Sequence, residues 1–316
     1  MIQVLRKVSL ILVISCFMIT VILFVQVCAE SPHLGKIKLW IGGDVHFGQA
    51  EKNPLKGLDK TLSGLVGIVN LEGPINDPGG AIIGNGELRL FNSFRSAEFL
   101  AESGVIAASV SNNHQNDAGV AGRKKTEEML KGVGIFPISS EKSGIIDIDG
   151  FSVVVAAYDL TKGVAADLDA ELKAEANKGD LLIVTFHVTG TPSYLPTPEL
   201  KEAVNIALEA GARVVVSHGS HSVGPVERRG DSVIAWGLGN LIFNCNCTKE
   251  DEALLLQITI DLKSKKRPIA AACAIPIEAG LNGKQARLAI KSGGIIDLLE
   301  ALGSSKITRQ SDQACF

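Results

Sequence analysis

The sequence has few aromatic residues and no excess of positive charge. Only 5% of its 316 residues are Phe, Trp or Tyr, and the formal net charge at pH 7 is −3. Proteins that hold nucleic acid by phosphate contacts and base stacking need a basic surface with aromatic side chains among the cations. The composition therefore argues against nucleic acid as a partner.

The chain also lacks internal repeats and low-complexity linkers, which excludes a solenoid or a string of small modules. Its length is sufficient for one large domain with a substantial core. From residue 37 to about residue 240, short apolar runs alternate with segments of helical periodicity, and this alternation predicts a single α/β domain. Residues 76–92 follow neither period and are predicted to form an irregular loop.

The first residues combine a basic pair with a long uncharged run. Arg6 and Lys7 precede an apolar segment at residues 8–27, which is twenty residues long. This order is typical of an export signal, and the run is also long enough to span a bilayer as a helix. For residues 1–29, a cleaved signal peptide and a retained membrane anchor both remain open. In either case we expect the rest of the chain to be extracytoplasmic, in a secreted or membrane-anchored protein.

Four cysteines follow residue 29, at Cys245, Cys247, Cys273 and Cys315. No second pair lies at the spacing of a zinc ribbon, so the Cys245-x-Cys247 pair favours a disulfide or free buried thiols over a metal site. An exported protein can form disulfides, and four cysteines allow three complete pairings, all of which remain open.

Side chains that can bind metal or move protons follow apolar runs at five places. These residues are Asp44 with His46, Glu72, Asn113 with His114, His187, and His218 with His221. Because parallel strands bring their carboxyl ends to one edge of a sheet, we expect these side chains to converge. Carboxylate and imidazole groups together are ligands of transition-metal ions, so the pattern predicts a metal centre.

The order of these residues resembles that of the calcineurin-like metallophosphoesterases, and the closer resemblance is to the CapA family of poly-γ-glutamate capsule-synthesis proteins. The motifs that carry it are Gly43-Asp44-Val45, Asn70-Leu71-Glu72-Gly73-Pro74, Asn112-Asn113-His114 with Asp117 and Gly119, Phe186-His187, His218-Gly219-Ser220-His221, and Leu238-Gly239-Asn240 with Phe243. The resemblance implies a four-layer αββα sandwich of the metallophosphoesterase type. We expect this α/β domain at residues 36–303, followed by a polar tail at residues 304–316.

Carried over residue by residue, the resemblance implies a centre for two divalent metal ions, Mn, Fe or Zn. One ion would be held by Asp44, His46 and His221, the other by Asn113, His187 and His218, and Glu72 would bridge them. His114 is implied to be a catalytic proton donor. Substrate contacts are implied for Asn112, Asp117 and Asn240.

The resemblance implies a metal-dependent hydrolase in capsule or exopolymer biosynthesis, acting on a phosphoester or an anionic polymer beside membrane synthase partners. One departure from the motifs of the family favours an alternative to the hydrolase. Where the family usually has Trp-Gly-x-Glu after its third-site histidine, this chain has Val188-Thr189-Gly190-Thr191 and lacks the acid. The alternative is a non-catalytic component that binds or exports the polymer. A third interpretation is an exported α/β domain whose site has degenerated.

Overall fold

The computed structural model describes residues 35–84, 86–189 and 193–316. The signal or anchor predicted for residues 1–29 lies outside these ranges. Within them, no helix is both long enough and apolar enough to cross a membrane.

The described residues form strands and helices in alternation over most of the chain. The strands are β1 (Lys36–His46), β2 (Val66–Leu71), β3 (Gly80–Gly84), β4 (Glu87–Phe91), β5 (Val105–Ser109), β6 (Phe136–Ile138), β7 (Gly144–Ile148), β8 (Phe151–Asp159), β9 (Leu181–His187), β10 (Val214–His218), β11 (Val226–Arg229), β12 (Ser232–Ala235), β13 (Asn240–Phe243), β14 (Glu252–Asp261), β15 (Ile269–Glu278), β16 (Gly280–Leu281), β17 (Arg287–Leu288), β18 (Thr308–Gln310) and β19 (Gln313–Cys315). The helices are α1 (Asp59–Leu62), α2 (Arg95–Glu102), α3 (Gly119–Gly132), α4 (Leu168–Ala176), α5 (Pro198–Glu209) and α6 (Ser292–Ala301).

Two large sheets contain nearly all of these strands. The first sheet follows the order β18-β19-β15-β14-β1-β2-β5-β6, with β13 beside the end of β1. The second follows the order β11-β12-β10-β9-β8-β7. In the first sheet β1, β2, β5 and β6 run parallel, and in the second β8, β9, β10 and β12 do. Parallel strands buried on both faces account for the uninterrupted apolar runs of the sequence.

Three apolar clusters define four layers. Alternate residues of β1 illustrate the division, because Leu39 and Ile41 face the second sheet while Trp40 faces the helices outside the first sheet. The central cluster joins the two sheets, with Ile183 and Val216 opposite β1. Helices α1, α2 and α3 cover the outer face of the first sheet, and α4 and α5 cover that of the second. The architecture is the four-layer αββα sandwich that the sequence predicted.

Local sequence fixes where the outer helices begin. Helix α5 starts at Pro198, and the Thr197 hydroxyl oxygen accepts a hydrogen bond from the Leu200 N–H at 3.2 Å. A proline in the first turn needs no N–H partner, and a threonine cap satisfies one of the free donors at the helix start. The buried side of α5 carries Leu200 and Val204, which pack on the second sheet.

Two segments differ from their predicted structure. Residues 76–92, predicted to be an irregular loop, contain the antiparallel hairpin of β3 and β4. Residues 304–316, predicted to be a polar tail outside the domain, contain β18 and β19, and β19 pairs with β15.

A disulfide between Cys273 and Cys315 links β15 to β19, and a second joins Cys245 to Cys247. Of the three pairings left open by the sequence, the structure therefore has this one.

Candidate metal centre

Asp44 lies near the end of β1 and connects the two sheets. Its side chain is 1% exposed. Its Oδ1 accepts a hydrogen bond from Asn70 Nδ2 at 2.9 Å, and its Oδ2 accepts one from the backbone N–H of Gly219 at 2.9 Å. Two imidazoles also reach it, with His218 Nδ1 3.5 Å from Oδ1 and His221 Nδ1 3.6 Å from Oδ2.

The surroundings of Asp44 keep its carboxylate ionised. Burial by itself raises the pKa of a carboxyl group, but the nearby imidazoles of His218, His221 and His187 outweigh it. The pKa of Asp44 is therefore held below its usual range, and a buried anion remains at the junction of the two sheets.

Glu72 follows β2 directly, and its carboxylate faces the second sheet. Its side chain is 1% exposed, and neither carboxylate oxygen has a hydrogen-bond partner among the described residues. His187, the last residue of β9, brings Nε2 to 3.9 Å from Glu72 Oε1 and to 2.8 Å from Asn113 Oδ1. Ligand atoms of Asp44, Glu72 and His187 all lie within 4.8 Å of one another. These three residues could hold a metal ion.

Glu72 is electrostatically unfavourable without a cation. Burial raises its pKa well above the usual value, and the negative charges of Asp44 and Asp117 raise it further. A cation at this position would reverse the effect, because a nearby positive charge favours the carboxylate.

His46 and His218 are buried with free ring nitrogens. His46 is 0% and His218 is 3% exposed, and both nitrogens of each ring lack a hydrogen-bond partner among the described residues. Burial lowers the pKa of His46 to about 4, and burial likewise lowers that of His187 to about 4. Imidazole nitrogens are good ligands of transition-metal ions, so the unpartnered ring nitrogens of His46 and His218 fit a metal ion.

His221 is oriented by the residue that begins β13. Its Nδ1 lies 2.8 Å from Asn240 Oδ1, while Asn240 Nδ2 donates to the Glu250 carbonyl at 3.3 Å. With the amide oriented in this way, Nδ1 of His221 carries the proton and Nε2 is free to act as a ligand. The His221 ring also packs edge-on against Phe243, with ring centres 5.0 Å apart, and His46 packs on the same Phe243 at 5.5 Å.

His114 lies beside this cluster, and its ring contacts the carboxylate of Asp117. Its Nδ1 lies 2.7 Å from Asp117 Oδ2, and the two side chains are 13% and 14% exposed. Asp117 Oδ2 also accepts a hydrogen bond from the backbone N–H of Leu90 in β4, at 2.6 Å. The hairpin that the sequence did not predict therefore helps to position the His114 and Asp117 pair.

The structure links six of the seven predicted ligands by the contacts above, namely Asp44, Glu72, Asn113, His187, His218 and His221. The seventh, His46, lies beside them through its contact with Phe243. The elements responsible are the carboxyl ends of β1, β2, β5, β9 and β10, which meet at one edge of the sandwich.

Two residues expected to contact the substrate are placed differently. Asn112 is 0% exposed, donating to the Leu71 carbonyl at 2.9 Å and to Asn70 Oδ1 at 3.2 Å, while its Oδ1 accepts from the His114 N–H at 3.2 Å. Asn240 is also 0% exposed and orients His221. Because their amide groups are engaged within the protein, both position neighbouring residues instead of facing a substrate.

Sequence reasoning missed Asn70 as a member of the site. In addition to Asp44, its Nδ2 approaches His187 Nδ1 at 3.4 Å, so one side chain contacts the ends of both sheets. The available signal is an asparagine in the apolar strand β2, two residues before Glu72 and therefore on the same face. A buried amide in a central strand needs partners, and here they are the candidate ligands themselves.

The fold and the site together define a four-layer αββα sandwich with a cluster of candidate metal-ligand residues at its strand ends. A family model described as "Bacterial capsule synthesis protein PGA_cap" matches residues 38–245. Since this match covers well over half of the sequence, the chain belongs to that family.

Two relatives carry related names. The "PGA biosynthesis protein CapA" of Bacillus subtilis (strain 168) is 25% identical over 211 residues, which cover 60% of this chain and 56% of that protein. The "Capsule biosynthesis protein CapA" of Bacillus anthracis is 24% identical over 182 residues, covering 49% of this chain and 44% of that protein. The chain thus spans about half the length of the relatives it matches.

One crystal structure supports the fold assignment. A hypothetical protein from Thermus thermophilus superposes with a TM-score of 0.51 at 14% identity, covering 77% of this chain and 100% of that one. At this identity the likeness shows the fold alone.

Proposed function

We propose that this chain is a metal-dependent hydrolase of capsule or exopolymer biosynthesis, acting on an anionic polymer of the poly-γ-glutamate type or on a phosphoester. The observation that carries the proposal is a set of six buried polar atoms, two each on His46, Glu72 and His218, without hydrogen-bond partners among the described residues. Each such atom costs about 1 to 3 kcal/mol when nothing pairs with it, so a group of six next to an ionised Asp44 calls for a bound cation.

The proposed centre holds two divalent ions. Asp44, His46 and His221 would bind one, Asn113, His187 and His218 the other, with Glu72 between them. Imidazole and oxygen ligands suit Mn, Fe or Zn. Two such ions lower the pKa of water and stabilise negative charge that develops on a substrate oxygen.

The chain's own residues then serve three purposes. Asn70 and Asn240 fix the orientation of ligand side chains through the hydrogen bonds described above, as residues behind a metal site commonly do. Asp117 holds the His114 ring, leaving Nε2 to face the substrate. We propose that His114 gives a proton from Nε2 to the leaving group.

The biological setting follows from the relatives. Their names refer to PGA and capsule biosynthesis, and a capsule lies outside the cell. Together with the basic pair and apolar run of residues 6–27, this supports an extracytoplasmic location, attached to the membrane or secreted. Partners in the membrane that synthesise the polymer belong to the same proposal.

Turnover assays on the purified chain test the hydrolase directly. We expect metal-dependent hydrolysis of a generic phosphoester or of poly-γ-glutamate, and its loss in His114→Ala. Asn116→Ala, an exposed position in the same loop, is the matched control and should retain activity. Bound metal without turnover on either substrate class would instead favour the non-catalytic component that binds the polymer.

A further inference from the structure

A dense group of basic residues lies at the end of the sandwich opposite the metal centre. The turn between β14 and β15 contains Lys263, Lys265, Lys266 and Arg267, and all four are exposed or partly exposed. We name these four residues the cationic turn. At the start of the neighbouring strand β1, Lys36 and Lys38 are also exposed, and Lys36 pairs in register with Asp261 beside the turn.

Acidic residues next to the cationic turn neutralise only part of this charge. Lys265 Nζ lies 2.8 Å from Asp180 Oδ1, and Arg267 Nε lies 3.3 Å from Asp231 Oδ2. The side chains of Lys265 and Arg267 are nevertheless 67% and 78% exposed, so water screens both pairs and their charges stay accessible.

Counting Asp261 as the third acid, these six cations and three anions together carry a net charge of about +3. The molecule as a whole has the opposite sign. Residues 1–34 contain two cations and one acid, and the full chain carries −3, so residues 35–316 carry −4. The basic end is therefore a local feature against an acidic background.

Strand direction separates this end from the metal centre. Strand β1 has 11 residues, from Lys36 to His46, and the ten steps between them at roughly 3.3 Å each span roughly 33 Å. In the second sheet β9 begins next to Asp180 and ends at His187. The cationic turn thus lies at the amino ends of the parallel strands, and the candidate ligands lie at their carboxyl ends.

The chain enters the domain at the basic end. The Leu262 N–H donates to the Gly35 carbonyl at 2.8 Å, and the Lys263 side chain runs across Gly35. In the sequence, residues 28–34 separate Gly35 from the apolar run at residues 8–27. A connection of this length reaches at most about 25 Å, so a membrane that held the apolar run would lie close to the cationic turn.

We propose that the cationic turn, with Lys36 and Lys38, is a docking surface for anionic phospholipid headgroups. The partner is identified by charge complementarity and by the entry of the chain at this end of the domain. Basic clusters beside an anchoring segment bind acidic headgroups and add to the membrane affinity of the anchor. Docking in this orientation would direct the candidate metal centre away from the bilayer.

Lysine acylation of the wild-type full chain on vesicles provides the first test. We expect vesicles with about 30% phosphatidylglycerol to protect Lys263, Lys265 and Lys266 several-fold relative to pure phosphatidylcholine vesicles. Lys124 and Lys142, exposed elsewhere on the domain, are internal controls and should react equally on both. Equal reactivity of the three turn lysines on the two vesicle types would overturn the proposal.

Vesicle partitioning of variants provides the second test. Changing the cationic turn to glutamine (K263Q, K265Q, K266Q, R267Q) should reduce the preference for phosphatidylglycerol about 10- to 100-fold at about 0.1 M salt. The matched control changes Lys124, Lys142, Lys162 and Lys201, four exposed lysines on other surfaces, and should keep the preference. If both variants lost the preference for phosphatidylglycerol equally, the cationic turn would not be a specific docking surface. Protection of the turn lysines by soluble poly-γ-glutamate, with none by the vesicles, would assign the surface to the polymer instead.

Discussion

The Asp44 carboxylate in the first sheet accepts a hydrogen bond from the backbone N–H of Gly219 in the second, at 2.9 Å. Gly219 follows β10 directly and has a φ of +84°. His218 lies immediately before Gly219 and His221 two residues after it, so this contact joins Asp44 of the first sheet to the segment that carries the candidate ligands of the second.

Gly219 should tolerate no side chain. A Cβ atom there would lie 1.9 Å from the Val188 carbonyl oxygen and 2.7 Å from His187 Nε2. We predict that Gly219→Ala lowers the free energy of unfolding by about 3 kcal/mol or more and reduces bound metal, measured by denaturant unfolding and metal analysis. Gly163→Ala is the matched control, because Gly163 has a φ of +91° with open space around it. It should cost only about 1 kcal/mol and leave the metal content unchanged. If the two changes had equal effects, backbone strain alone would explain the loss of stability at Gly219, and the close contacts with Val188 and His187 would have no part in it.

Asn70 should govern metal affinity without being a ligand. Replacing it by leucine, which has a similar volume, removes the hydrogen bonds that orient Asp44 and His187. We predict that Asn70→Leu weakens metal binding about 10- to 100-fold, measured by calorimetry on the metal-free protein.

Asn53 provides the control for Asn70, because it is also buried but bonds the Leu55 N–H and the Phe99 carbonyl, distant from the site. Asn53→Leu should lower stability by about 1 to 3 kcal/mol with metal affinity unchanged. If Asn70→Leu behaves in the same way, Asn70 is a structural residue only.

His114 and His221 should differ in what their loss removes. His114→Ala is predicted to keep the metal content and lower turnover by roughly 10² to 10⁴, the range for losing a positioned proton donor. His221→Ala should lower both metal content and turnover, since its Nε2 is the proposed ligand atom. Metal analysis and single-turnover rates on both variants make the comparison. Unchanged turnover in His114→Ala, with the metals bound, would rule out its proposed role.

Metal binding should release a proton from Glu72. Burial and the charges of Asp44 and Asp117 hold its pKa well above the usual value in the metal-free protein. In the metal-free protein the carboxyl group is therefore protonated over a pH range that extends above its usual one. Because a cation binds the ionised carboxylate, it must displace this proton, and metal affinity should rise with pH across that range. Calorimetry in two buffers of different ionisation enthalpy measures the release, and Glu72→Gln should release about one proton fewer. Equal release by the wild type and the variant would contradict this.

Much of the fold could be predicted because it rests on local signals. The apolar runs that became β1, β2, β9 and β10 each end in a ligand-type residue, and the rule that parallel strands share an edge brings those ends together. The hairpin at β3 and β4 gave no such signal, because it has no continuous buried face and exposes Ile82 and Ile83 at 58% and 78%. The pairing of β19 with β15 joins residues about 40 positions apart, including the disulfide-linked Cys273 and Cys315 with a separation of 42, and no local pattern indicates such a contact.

The candidate site, like the fold, could be predicted only where local sequence carries the signal. Residue types at strand ends indicated the candidate ligands, but the partners of each side chain depend on contacts across the two sheets. Asn70 meets His187 over 117 positions of sequence, and Asn240 was expected to face the substrate but instead bonds His221. Residue type could predict that a buried asparagine needs partners, whereas only the packed sandwich determines which partners it has.

The metal content of the purified chain tests the central claim most directly. Elemental analysis after equilibration with Mn, Fe or Zn should find two equivalents of a divalent ion per chain. A triple change of Asp44, Glu72 and His187 to alanine should abolish this binding, while alanine at Asp159, the residue paired in register with His187 on β8, should preserve it. A folded wild-type protein that binds no metal under any of these conditions would contradict the account.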